Sequence, residues 1–130
     1  MGVFLQVAAA QGRLPGPSAG TTADGADLFI TYCASCHGRD GTGHGPLARA
    51  LRQAPSDLTQ LSNHNGGVFP NVRVQRIIDG RDIESHGDRE MPVWGDIFRA
   101  DRDRRGVESA ATRIAALVRY LESIQRRNAE

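Results

Sequence analysis

Cys33-Ala34-Ser35-Cys36-His37 holds the only two cysteines of the chain, three positions apart and followed directly by an imidazole. A C-x-x-C-H run is the attachment signature of c-type haem. Thiols at this spacing lie on adjoining turns of a helix end, where both can add to the vinyl groups of one porphyrin. The next residue then sets an imidazole under the iron as an axial ligand. A C-x-x-C pair also serves as a thioredoxin-type dithiol, half of a zinc site or a small disulfide. Zinc needs two more ligands at close spacing, and the remaining histidines, His44, His64 and His86, are spread through loop-like sequence. A redox dithiol of that type needs a βαβ setting, and no run of buried strands is visible.

A second chemical residue lies downstream in Met91-Pro92-Val93-Trp94-Gly95. Met91 is the only internal methionine, and it stands between Asp88-Arg89-Glu90 and Gly95-Asp96. Core methionines fill gaps among apolar neighbours, whereas this one is flanked by charge. The proline after it biases Met91 toward an extended backbone, so its thioether is presented from a stiff loop. His37 and Met91 are thus the candidate axial pair. His44, His64 and His86 are the alternatives for the sixth position. Trp94 either donates its indole N–H to a haem propionate or is a packed aromatic. Arg81 and Arg89 either pair with propionates or face water.

The elements that must position these residues read as helices. Ala26, Phe29, Ile30 and Cys33 recur at i, i+3, i+4, i+7, one face of a first helix, with Thr21 and Asp24 as its capping box. A glycine-rich loop spans 38–45. Leu47, Ala48 and Leu51 suggest a short helix stopping before Pro55, and 56–71 is polar loop with Asn65-Gly66-Gly67 as a turn. Val74, Ile77 and Ile78 make a short helix with Gly80 as its left-handed terminator. Residues 81–96 read as a charged loop over the open haem face. Ile114, Leu117, Val118, Leu121 and Ile124 form the apolar stripe of a last helix, with Arg113, Arg119, Glu122 and Arg126 off it. Seven aromatic residues and fifteen glycines make a lean core for 130 residues, which makes better sense if a porphyrin supplies part of the interior.

On these motifs the chain resembles a class I c-type cytochrome, the small soluble monohaem kind found in bacteria, over about residues 22–127. The resemblance implies an all-α cytochrome c fold, with first and last helices crossed and short helices and loops wrapping one haem c. Gly25 and Phe29, eight and four before Cys33, match the glycine and aromatic of the family's first helix. Leu117 and Tyr120 match the pair packed crosswise upon them. Pro46 resembles the proline whose carbonyl receives the second N–H of the ligand histidine. The cofactor-binding set is therefore Cys33, Cys36, His37, Pro46, Met91 and Trp94, with His37 and Met91 on iron.

All sixteen basic residues are arginines, against fifteen acids, for a formal charge of +1. The lysine ring that steers many mitochondrial-type cytochromes is absent, and interleaved acids argue against strong steering. Arg99, Arg102, Arg104 and Arg105, broken by Asp101 and Asp103, read as a solvated loop, and nothing else suggests nucleic-acid binding. The resemblance implies a periplasmic protein. Val3–Ala10, ending in an A-x-A-like triplet, reads as an export-signal remnant or as a flexible tail, and 11–21 as linker. The division is therefore 1–21 and a domain over 22–130. No run approaches the ~20 apolar residues of a membrane span. The expectation is a monomeric electron carrier, not an enzyme, meeting redox donors and acceptors transiently. The alternatives are a cytochrome subunit of a dehydrogenase or oxidase complex, a haem-based gas sensor with a labile Met91, and a haem-free dithiol protein.

Overall fold

Five α-helices and three 3-10 turns make up the described residues of the computed structural model, 22–80 and 90–127, and no strand occurs among them. The all-α expectation therefore holds. Thr21, Arg81, His86, Arg89 and the proposed export segment lie outside the described residues.

The first helix, α1 (Thr22–Tyr32), and the last, α5 (Ala110–Ser123), form the principal helix pair. Ser109 caps α5, its hydroxyl accepting the Thr112 N–H at 3.2 Å. The α5 stripe buries Ile114, Leu117, Val118 and Leu121 as its 3.6-residue period requires. On α1 the buried face runs through Gly25 and Phe29, with Leu28 and Tyr32 partly buried beside it. Ile30 is 39% exposed and points away, a correction to the face expected from spacing alone. Gly25 explains the shift. A methyl group there would overlap the Ala116 carbonyl oxygen and lie 2.8 Å from Tyr120 Cβ. The helices approach backbone to side chain at this point, and that contact sets which face of α1 turns inward. Phe29 and Tyr120 then meet ring to ring, centroids 5.2 Å apart.

A short helix, α2 (Ala34–His37), continues from α1 after a turn at Cys33. The glycine-rich loop beyond folds back onto its carbonyl end. Gly43, Gly45 and Leu47 donate N–H groups to the carbonyls of His37, Cys36 and Ser35 at 2.7, 3.0 and 2.9 Å. These bonds satisfy acceptors that a helix end leaves open. The expected helix near residue 48 is a 3-10 turn, Ala48–Ala50, and two more turns, Leu58–Gln60 and Asn63–Asn65, punctuate the polar loop.

Helix α3 (Asn71–Asp79) buries Val74 and Ile78 and stops at Gly80, whose φ of 89° takes the left-handed terminating conformation. The next helix was not expected. Residues read as loop form α4 (Trp94–Arg105), so the arginine cluster is helical. Three features outweigh its polar sequence. Phe98 is fully buried, Arg99 bridges Asp96 at 2.7 Å and Asp79 of α3 at 3.0 Å, and Gly106 ends the helix in the left-handed region.

Arg113 is the second surprise. Assigned to the solvent side of α5, it is 7% exposed. Its guanidinium donates to Asp101 of α4 at 3.0 Å and to the Tyr32 hydroxyl of α1 at 2.8 Å, and lies 4.3 Å from the Phe98 ring centre. One planar cation thus joins three helices through its fork of donors and its face. Arg113→Met keeps most of the packing but removes both bonds. It is expected to lower unfolding free energy by about 2–3 kcal/mol, read from denaturant midpoints. A loss no larger than that of Tyr32→Phe, about 1 kcal/mol, would show that the Asp101 bond contributes little.

Candidate functional site

Cys33 and Cys36 are free thiols, both half-buried at the α1–α2 junction. The backbone holds them one turn apart: Cys33 N–H bonds Phe29 O at 2.9 Å, and Cys36 and His37 N–H groups both bond Cys33 O, at 3.2 and 2.9 Å. Burial first, and then the neighbouring Cys36, push the Cys33 thiol up to about 12. Reactive dithiols work by the opposite shift, a lowered thiol value in an electropositive setting. This environment disfavours a free thiolate at Cys33 and suits a sulfur committed to an apolar partner.

His37 follows on the same helix end. Its Nδ1 stands 3.1 Å from the Ser56 carbonyl oxygen. A carbonyl only accepts, so Nδ1 carries the proton and Nε2 keeps the lone pair that a metal requires. Burial holds the imidazole below its ordinary value, against the opposing pull of the Ser56 bond. The acceptor is a correction to the sequence reading. Ser56, not Pro46, takes the histidine proton. Pro46 is exposed and lines an open hollow of about 580 Å³ with Ile30, Ser35, Asp40 and His44. The physical reason is the loop's return path. Gly43 packs against the Pro55 carbonyl, which brings the next residue, Ser56, rather than the nearer proline to the ring. Pro55 itself was the sequence signal available for that segment.

Met91 packs, half-buried, against the same apolar cluster as Cys33, together with Leu58, Leu61 and Phe69. It lies in the irregular stretch between the described start at Glu90 and α4. Glu90 pins that stretch to a segment distant in sequence, accepting the N–H groups of Arg52 and Gln53 at 3.0 and 3.1 Å. Trp94 opens α4 and packs on Tyr32 and Phe98, with ring centroids at 5.4 and 6.0 Å. Tyr32 precedes Cys33, so this aromatic cluster joins the Met91 side to the thiol side. His44 is exposed and bonds Thr42 Oγ1 at 3.1 Å, and His64 is exposed in its 3-10 turn. Ser56, Glu90, Tyr32 and Arg113 were not singled out as site-forming from sequence, because each acts across a long chain separation.

These donors suit a covalently held porphyrin. Two thiols sit at one helix end, an imidazole has its Nδ1 proton fixed, and half-buried apolar side chains pack on the same cluster as Cys33. No group of three or more His, Cys, Asp or Glu side chains is arranged to hold a bare metal ion among the described residues. No helix there is long and apolar enough to cross a membrane.

A family model described as Cytochrome c matches residues 22–125. No curated protein and no solved structure gives a significant match.

Proposed function

Because the chain belongs to the cytochrome c family, with its haem-binding electron-transfer role, we propose that it is a single-electron carrier. It would hold one haem c through Cys33 and Cys36, with His37 and Met91 as axial ligands. The observation that carries the reading is His37, placed beside two free thiols with its Nδ1 proton committed to Ser56. When bound, the haem supplies one-electron iron chemistry. The chain's own residues set its conditions. Cys33 and Cys36 fix the porphyrin, and Ser56 holds the His37 tautomer and strengthens its basicity. Met91 brings a thioether, which favours the reduced metal over a second imidazole. Leu58, Leu61 and Phe69 exclude water, and Trp94 either packs the Met91 side or reaches a propionate. With His37 and Met91 both holding the iron, the chain would act as a carrier rather than an enzyme.

The partners are redox proteins met briefly, through the small interfaces such encounters use. Sixteen arginines interleaved with fifteen acids give weak long-range steering. The compartment proposed is the periplasm, the oligomeric state a monomer, and the functional domain residues 22–130.

Optical spectra of protein made in a haem-maturing host test this reading. Sharp reduced c-type bands and a weak far-red sulfur-to-iron band in the oxidised form are expected. Covalent haem without the far-red band would overturn Met91 ligation. Met91→Ala is expected to keep the covalent haem, lose that band and let carbon monoxide bind the reduced form. A variant still closed to carbon monoxide would assign the sixth position to another residue. Carbon monoxide binding by the unmutated protein would favour a gas sensor.

A further inference from the structure

Glu90 stands immediately before Met91, yet its side chain reaches a segment 38 residues earlier in the chain. One carboxylate oxygen accepts the Arg52 backbone N–H at 3.0 Å, and the other accepts that of Gln53 at 3.1 Å. The Arg52 Nε lies 3.4 Å from the first oxygen, a longer contact from a side chain mostly in water. The grip therefore falls on two successive peptide N–H groups. Charged acceptors make stronger bonds with such donors than neutral ones do, and the Glu90 side chain is only 22% exposed.

The segment so held runs on through Pro55 to Ser56, whose carbonyl takes the His37 Nδ1 proton. On the other side, Met91 follows Glu90 by one peptide bond, and the helical ladder of α4 begins only at Trp94. Residues 90–93 lie outside any helix. The bond cannot be a local turn device, because its partners come from distant parts of the chain.

We propose that Glu90 is a positioning residue that fastens the Met91 loop to the segment orienting His37, so that one carboxylate ties the two axial-ligand loops into a single unit. The proposal rests on the His37–Met91 ligation given above. Its consequence is kinetic: Met91 stays on the metal longer than it would without the Glu90 carboxylate.

The test compares haem-loaded wild type, Glu90→Ala and Glu90→Gln. Three readouts are needed: carbon monoxide binding rate of the reduced form, denaturant midpoint of the far-red band, and denaturant midpoint of helical circular dichroism. Glu90→Ala is expected to bind carbon monoxide about tenfold faster or more. Its far-red band should vanish at lower denaturant than in wild type, while the helical midpoint moves much less. Glu90→Gln, which keeps one acceptor, should fall between the two, and it carries the test if the alanine variant does not accumulate. A carbon monoxide rate unchanged in both variants, or band and helix midpoints moving together, would overturn the positioning role while leaving the wild-type ligation standing. A wild type lacking the far-red band would remove the ligation, and this proposal with it.

Discussion

Protein carrying Cys33→Ala and Cys36→Ala, made in a haem-maturing host, is expected to surrender all of its haem to acidified organic solvent. Wild type should keep its haem through full denaturation. The expected difference is all or none because the chain has no third thiol, and an imidazole–iron bond does not survive acid. Each single variant should retain one thioether and hence colour on a denaturing gel. The larger effect concerns the fold. The firmly buried core lies where α1, α3, α4 and α5 meet, around Phe29, Val74, Ile78, Phe98, Leu117 and Leu121. On the side proposed to hold the haem, Leu58, Leu61, Phe69 and Met91 are only half-buried by protein. A domain of this size buries only about two-thirds of its unfolded surface even when well packed. The double variant should therefore lose much of its helical circular dichroism along with its haem. Haem that stayed with the double variant through acid extraction would end the case for thioether attachment.

Gly25→Val should be nearly as damaging, and Gly25→Ala shows why through two effects of opposite sign. In an exposed helix, alanine in place of glycine stabilises by about 1 kcal/mol. At residue 25 the added carbon meets the Ala116 carbonyl and Tyr120 Cβ, and neither can swing aside as the end of a flexible side chain would. Overpacking of this kind costs about 1–3 kcal/mol for one methyl and more for a branched side chain. The clash wins. Gly25→Ala should lower the denaturant midpoint, and Gly25→Val should leave little folded protein at ambient temperature. An alanine variant more stable than wild type would mean that α1 and α5 can part at this crossing without penalty.

What the sequence revealed and what it hid follow one physical division. Cys33, Cys36 and His37 stood out as candidates because the chemistry proposed for them depends on spacing within one turn. Gly80 was legible because a terminator acts on its own backbone, and the α5 stripe because its period is local. Contacts between distant segments were not. Arg113 looked like a solvent-facing charge, since nothing near it in sequence announces Asp101 and Tyr32 as partners. Helix α4 was hidden by its own polarity: its single deeply buried anchor, Phe98, is too sparse to show a period. Pro46 was expected from the family resemblance, as a proline shortly after the haem motif, whereas the loop's path through Gly43 and Pro55 decides which carbonyl arrives. Ile30 was misassigned because a periodic face can be rotated by one close approach, here at Gly25.

The crossing of α1 with α5 also sets an order of events. Arg113 reaches Tyr32 over 81 residues, and Ala116 reaches Gly25 over a longer span still. The entropy of closing such a loop must be met before any of its contacts form, and contacts this distant in sequence are slow to assemble. During synthesis α1 therefore waits without its partner until the residues of α5 have been delivered. The turn bearing Cys33 and Cys36 spends that interval outside a finished core. The thiols that end half-buried in the folded molecule thus begin in an open segment, and the covalent attachment proposed above would have its opportunity before α5 arrives to close it.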